Sequence, residues 1–346
     1  MLLNIALGVA AISSASEREG AGYQLRQTVF AAFGLFMLFL TLLVDYKTLM
    51  TFAFPLYGLV VLVLTAMIPF AKLIAGTKSW IRLPHIQIQP SEILKVVLIL
   101  MLAQLFAGTR RAFITRRTAL AGSGLVFVPF ILVALQPDLA TAVCYLPILA
   151  AALILAGLTR KTLALIVIAA VLLGIVAWNF GLRDYQKKRV MTLLFPGQDP
   201  QGAGYHVMQS KIAIGAGGMF GKGFGKGSQS QLRFLPARHT DFVFSVIGEE
   251  FGFAGILAAL GLYFLLLARL FQAVGQSRDR AGVYIVFMVV CLIAFQFLVN
   301  ILMIIGALPI AGIPLPFLSY GGSSLLANVL AVGLVLNVKM RRFANV

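Results

Sequence analysis

TFAFPLYGLVVLVLTAMIPF, residues 51–70, runs for twenty residues without one Lys, Arg, Asp, Glu or His. An α-helix rises 1.5 Å per residue, so about 20 apolar residues cover the ~30 Å hydrocarbon core of a bilayer. Comparable runs recur on both sides of it. Their cores fall near residues 2–12, 28–44, 51–70, 93–107, 119–135, 139–158, 163–180, 242–268, 283–307 and 324–338. They predict an all-α membrane protein, a polytopic bundle of about ten transmembrane helices, folded as one domain over residues 1–346. The first run is too short to cross unaided. It also lacks the charged n-region and cleavage site of a signal peptide, which points to a native amino terminus further upstream.

Composition agrees with this reading. Hydrophobic residues make up 60% of the chain and charged residues 11%, against about 25% charged in soluble domains. The net charge of +17 follows the positive-inside pattern. With both termini inside, cytoplasmic segments hold Lys47, Arg110, Arg111, Arg116, Arg117, Arg160, Lys161, Arg269, Arg278, Arg280, Lys339, Arg341 and Arg342. The outward loops hold fewer, partly offset by Glu17, Glu19, Glu92 and Asp138. No basic stripe interleaved with aromatics lies on a polar segment, which argues against nucleic acid. Cys144 and Cys291 both fall in apolar runs and read as packing residues.

One large extracytoplasmic loop, at about 181–241, is polar, glycine-rich and basic. Loops of that length inside compact domains are usually functional. Residues 207–214 are apolar enough for a short amphipathic helix at the membrane interface. Tyr23, Trp80, Trp178, Tyr185 and Tyr205 sit near the outer boundary, as an aromatic belt would. The run GKGFGKG, 221–227, lacks the spacing of a nucleotide P-loop. A basic, backbone-exposing loop can still meet a diphosphate.

Carboxylates in or beside apolar runs are costly and therefore informative. Asp241 lies in HTDFVF, 239–244, with Glu249 and Glu250 about two turns further on. Glu92 and Lys95 follow QPS, 89–91, and Asp138 lies in QPDL, 136–139. Thr240 or Asp241 can cap the following helix, and Asp138 can cap the next. Glu92 and Lys95 have the spacing of an i,i+3 ion pair, with Pro90 suited to the first turn. Glu249 and Glu250 cannot both face lipid, so one turns to a polar cavity or a neighbouring helix. His85, His206 and His239 are scattered, and no HExxH, Cys–His cluster or GxSxG elbow occurs. His239 reads as a loop hydrogen-bonder. The run LPIAGIPLPFLSYGGSS, 308–324, has three prolines and three glycines that break a helix. Such backbone is tolerated at membrane depth only inside protein or beside a water-filled cavity. Its amides, with Ser319 and Tyr320, suit a polar substrate path.

At these residues the chain resembles the SEDS family (shape, elongation, division and sporulation). The likeness runs through ISSA 12–15, Trp80 ahead of QPSE 89–92, QPD 136–138, and DYQ 184–186 leading to Arg189. It continues through GY 204–205, QS 209–210, GGMFGKG 217–223, FLP 234–236, HTDF 239–242 and EEFG 249–252. The form IPLPF at 313–317 resembles the elongation branch more than the division branch. Ala237, Ala140 and Ser79 depart from the family pattern, where glutamate, glycine and a basic residue are usual.

The resemblance implies a multi-pass protein of the bacterial cytoplasmic membrane that polymerises lipid II into peptidoglycan glycan strands. It implies an essential aspartate at Asp241 and an important pair at Glu92 and Lys95. The implied partners are a class B penicillin-binding protein and the elongation machinery. The corresponding chemistry is inverting transfer, with Asp241 as general base on a sugar 4-hydroxyl. Lys187, Lys188 and Arg189, then Lys222, are the candidates to offset diphosphate charge, and a divalent cation, Mg or Mn, suits the same role. Asp138, His239, Glu249, Ser319 and Tyr320 complete the expected binding or supporting set. A lipid II flippase is the competing class, and a non-catalytic scaffold a third.

Overall fold

The computed structural model describes residues 1–16, 22–71, 76–82, 87–108, 114–157, 203–232, 234–235 and 237–343, with Lys187 and Met191 singly. The expected run at 163–180, with His85, Trp178, Tyr185, Lys188 and Arg189, lies outside the described residues.

The chain is an all-helical polytopic membrane protein. In order come α1 (Leu2–Ala15), α2 (Gly22–Leu43), α3 (Tyr46–Phe70), α4 (Pro90–Ala107), α5 (Arg116–Leu135), α6 (Leu139–Val143) and α7 (Tyr145–Leu155). Then follow α8 (Ala203–Ala216), α9 (Ser228–Gln231), α10 (Val243–Gln276), α11 (Arg280–Ile304) and α12 (Gly322–Met340). Among the described residues seven helices, α2 to α5 and α10 to α12, are long and apolar enough to cross a membrane. A two-residue antiparallel pairing of β1 (Ile81–Arg82) with β2 (Gln87–Ile88) accompanies the helices.

Local chemistry sets the helix starts. Asp45 caps α3 by accepting from the Lys47 amide, Thr115 caps α5, and Asp279 caps α11. Each satisfies an amide that the helix cannot bond internally. Asp279 also takes the Tyr46 hydroxyl at 2.8 Å and Lys47 Nζ at 3.4 Å, and Arg341 lies 3.6 Å from Asp45. These contacts gather one basic end of the bundle. α4 and α12 lie mostly buried, with α2 packed on α12, α3 on α4, α7 on α11 and α8 on α10. Phe36, Phe39, Leu59, Leu62, Leu257, Phe264 and Leu265 face outward, as lipid-facing side chains do in a helical bundle.

Three details depart from the expected spans. The run at 139–158 is broken at Cys144 into α6 and α7. The helix after Asp241 continues to Gln276 and is kinked at Gly252, where φ is 65° and ψ is −160°; that conformation is essentially restricted to glycine. The helix expected over 207–214 forms as α8, but it is held on the bundle rather than lying alone at an interface. Ser210 Oγ lies 2.8 Å from Ser245 Oγ and donates to the Ile304 carbonyl at 3.1 Å.

Candidate functional site

The turn ahead of α10 is organised by one carbonyl. Ala237 O accepts the amides of Thr240, Asp241 and Phe242 at 3.1, 3.0 and 3.3 Å. To do so Ala237 adopts φ 48°, a left-handed conformation that L-residues avoid. The N-cap position of α10 falls on Phe242, so neither Thr240 nor Asp241 occupies it. Asp241 is half-buried. Its carbonyl accepts from Asn300 Nδ2 at 3.1 Å, and the same amide reaches the Ile313 carbonyl at 2.9 Å. Asn300 thus ties the Asp241 turn to the irregular segment between α11 and α12.

From Ile313 to Ser319 that segment is largely buried in protein, as its composition requires. Ile313, Leu315, Phe317 and Leu318 are almost wholly enclosed. The Ser319 hydroxyl accepts the Leu315 amide at 2.9 Å, and the Tyr263 hydroxyl donates to the Pro316 carbonyl. Gln27 of α2 donates to the Ser319 carbonyl at 3.1 Å and accepts the Gly321 amide at 3.3 Å. The Tyr320 amide donates to the His239 carbonyl at 2.8 Å. Ser319, Tyr320, His239 and Asp241 are therefore brought together at one end of the bundle, opposite the basic end. Tyr23 joins them, its ring 4.6 Å from that of His239 and 5.1 Å from that of Tyr320.

Beside this turn a second carboxylate is fully engaged. Glu249 is buried and accepts from Lys222 Nζ at 3.0 Å and from the Gln229 and Ser230 amides at 2.8 and 3.0 Å. Lys222, expected to face a diphosphate, is held on this carboxylate and on Ser228 Oγ at 2.7 Å. Part of the glycine run is tied down as well. Lys222 and Gly223 donate to the Glu249 and Glu250 carbonyls at 3.1 and 3.0 Å, and Phe253 and Ala254 donate back to Gly218 and Met219 at 2.9 and 3.1 Å. The loop thereby supplies the hydrogen bonds that the kink at Gly252 removes from α10. Gly221, at φ 80°, approaches the Glu250 carbonyl too closely for any side chain. Glu250 itself takes the Ser14 hydroxyl of α1.

The third cluster begins α4. Lys95 Nζ lies 2.7 and 2.8 Å from the two Glu92 oxygens, with both side chains sealed from solvent. Asp138 caps α6 through the Thr141 amide at 3.2 Å and takes Gln89 Nε2 at 2.6 Å. The Gln89 amide donates to Ser323 Oγ at 3.0 Å, which joins this cluster to the first turn of α12. Lys187 is half-buried.

Sequence reading passed over four residues of the site. Arg238 is a buried arginine whose Nη1 donates to the Ser230 carbonyl at 2.6 Å, linking the Asp241 turn to the segment held by Glu249. Gln27 and Asn300 are polar side chains in apolar helices, a signal that could have marked them. Tyr23 carried no local signal beyond its place near a boundary. Among the described residues no three His, Cys, Asp or Glu side chains gather to hold a metal ion. A divalent ion carried on a diphosphate needs only one or two protein carboxylates.

Fold and site together define a multi-pass membrane protein with a polar, carboxylate-bearing cluster at one end of a helical bundle. The chain belongs to the FtsW/RodA/SpoVE family, described as cell cycle protein, whose family model matches residues 1–343; this is the SEDS family that the motifs resemble. It is 40% identical over 294 residues to "Peptidoglycan glycosyltransferase MrdB" of Escherichia coli (strain K12), covering 83% of this chain and 77% of that protein. It is 36% identical over 325 residues to "Stage V sporulation protein E" of Bacillus subtilis (strain 168), covering 90% and 86%. Among solved structures, a chain described under "Structural coordination of polymerization and crosslinking by a peptidoglycan synthase complex" matches with TM-score 0.85 and 33% identity, covering 99% of this chain and 96% of that one. The Thermus thermophilus rod shape determining protein RodA matches with TM-score 0.74 and 31% identity, covering 99% and 95%.

Proposed function

We propose that this chain is a peptidoglycan glycosyltransferase of the bacterial inner membrane that polymerises lipid II into glycan strands during cell elongation, with Asp241 as general base. One observation carries the assignment of the base. Among the described carboxylates at that end of the bundle, Glu92, Asp138, Glu249 and Glu250 are buried, and Asp241 alone is half-open. A base must reach the proton it removes. The peptidoglycan glycosyltransferase name of the Escherichia coli relative supports the reaction class.

In this reading Asp241 takes the proton of the acceptor's 4-hydroxyl as that oxygen attacks the donor's anomeric carbon. The carbon–oxygen bond to the undecaprenyl diphosphate breaks, the configuration inverts, and no covalent enzyme intermediate forms. General-base catalysis contributes about 10²–10⁴-fold. Lys187, Lys188 and Arg189 offset the charge on the departing diphosphate. Lys222 serves mainly to hold Glu249, and Glu92 with Lys95 and Asp138 holds the helices at that end of the bundle.

The finer architecture belongs to the same proposal. It comprises about ten spans in one domain over 1–346, both termini cytoplasmic, and an extracytoplasmic loop at about 181–241. A class B penicillin-binding protein is the proposed partner, a reading supported by the similarity to a chain of a peptidoglycan synthase complex. The test is purified protein supplied with lipid II. Glycan strands support the enzyme, translocation without polymer supports a flippase, and neither supports a scaffold. An Asp241→Asn protein that folds and still polymerises at the parental rate would sink the general-base role.

A further inference from the structure

Tyr23, His239 and Tyr320 come from the first turn of α2, the Asp241 turn and the end of the irregular segment. They meet as a corner of rings. Tyr23 and His239 lie 4.6 Å apart with planes tilted by 31°. Tyr320 stands nearly perpendicular to both, at 88° and 5.1 Å from Tyr23 and at 74° and 5.9 Å from His239. These separations lie in the attractive range for aromatic pairs.

Two features set the corner apart from an aromatic belt or a core cluster. Belt residues present amphipathic rings to the headgroup level, whereas these three turn toward one another at the turn that carries Asp241. Core rings are sealed, whereas all three here are half-buried. The corner is also fixed in advance. The Tyr320 amide is bonded to His239, and Gln27, one turn after Tyr23 on α2, holds the backbone on both sides of Tyr320. Side chains ordered before a ligand arrives cost less to bind with.

A ring face carries partial negative charge and a ring edge partial positive charge. Tyr23 and His239 cover one another's inner faces, so the faces left for a ligand are the outer ones, with Tyr320 perpendicular at their side and bearing a phenolic hydroxyl. Such a floor and wall complement a pyranose. One pyranose face presents weakly positive axial C–H bonds, and its rim presents hydroxyls. We propose that the Tyr23–His239–Tyr320 corner is a stacking subsite for a pyranose of the glycan substrate, seated beside Asp241. This rests on the reading above that the chain works on a glycan.

The probe is chitotetraose, a soluble β-linked amino-sugar oligomer, observed by saturation-transfer NMR with the purified full chain. The expected result is transfer concentrated on the axial protons of one pyranose face, about fivefold weaker in Tyr23→Leu and in Tyr320→Leu and restored in Tyr23→Trp. With lipid II, Tyr23→Leu raises the apparent KM about tenfold while kcat stays within about twofold. Uniform transfer to all ring protons, an unchanged pattern in both Leu variants, or a kcat loss at constant KM would overturn the proposal. If Tyr23→Leu does not fold, Tyr320→Leu carries the same comparison. Asp241→Asn separates the two readings. Loss of polymer with the one-face pattern intact supports both. Polymer at the parental rate, with the pattern still lost in Tyr23→Leu, removes the base and keeps the subsite. Loss of polymer with uniform transfer keeps the base and removes the subsite.

Discussion

At the start of α4, Glu92 lies 2.7 Å from Lys95, and solvent reaches only 4% and 2% of the two side chains. Just ahead of α10, Asp241 sits half-buried on a turn whose hub residue, Ala237, is held at φ 48°. Both carboxylates lie at the same end of the bundle, near the amino terminus of a long apolar helix. The first has its charge cancelled within one turn of helix and is closed off. The second keeps access, and the backbone beneath it is strained and clamped from α11. Sealed, paired charge of the first kind suits the holding of helices. Reachable charge on an over-determined turn is what proton transfer requires, and strained backbone is concentrated at functional sites.

The largest break in this contrast is Asp241→Asn, expected to lower lipid II polymerisation by about 10²–10⁴-fold while the thermal midpoint stays near the parental value. The sealed pair should respond the other way. Lys95→Met leaves a buried carboxylate without its partner and should cost about 3–5 kcal/mol of stability, whereas Glu92→Gln with Lys95→Met should recover most of it. Thermal unfolding of the single and double variants checks this; a double variant no more stable than Lys95→Met would remove the pairing argument. Glu249→Gln lies between the two regions. It weakens charge-assisted bonds to Lys222, Gln229 and Ser230 worth about 1.5–3 kcal/mol each at most, and hydrogen exchange at the Gln229 and Ser230 amides should accelerate. Smallest is Ala237→Gly. Relief of roughly 1–2 kcal/mol of left-handed strain, set against about 0.5–1 kcal/mol of added chain entropy, should leave the protein up to about 1 kcal/mol more stable. Ala237→Val should shift the unfolding midpoint in the opposite direction.

What was legible in the sequence tracks how local each interaction is. Apolar runs located the seven long helices, with the ends of α4, α5, α11 and α12 close and the start of α2 and α3 and the end of α10 cut short, because spanning a membrane requires length and hydropathy that a single segment must carry by itself. The Glu92–Lys95 pair was legible from its i,i+3 spacing, and the capping role of Asp138 from its place after Pro137. The break at Cys144 was not, since the residues around it remain apolar across the interruption. Lys222 and Glu249 lie 27 positions apart, with no periodicity connecting them. Part of the open backbone expected of the glycine run was instead committed to α10, because a kink at Gly252 leaves carbonyls and amides that something must satisfy. Tyr23 and Tyr320 meet only because α2 packs on α12, which no local pattern records.

The clamps around Asp241 also set an order of assembly. The turn at 237–242 is held by Asn300, by the Ile313 carbonyl through the same amide, and by the Tyr320 amide. All three lie downstream in the chain. During synthesis the ribosome must therefore deliver α11 and the whole irregular segment before the aspartate turn can be locked in place. A nascent chain halted after α10 could insert its earlier spans and still lack the finished turn, which closes only once Tyr320 has emerged.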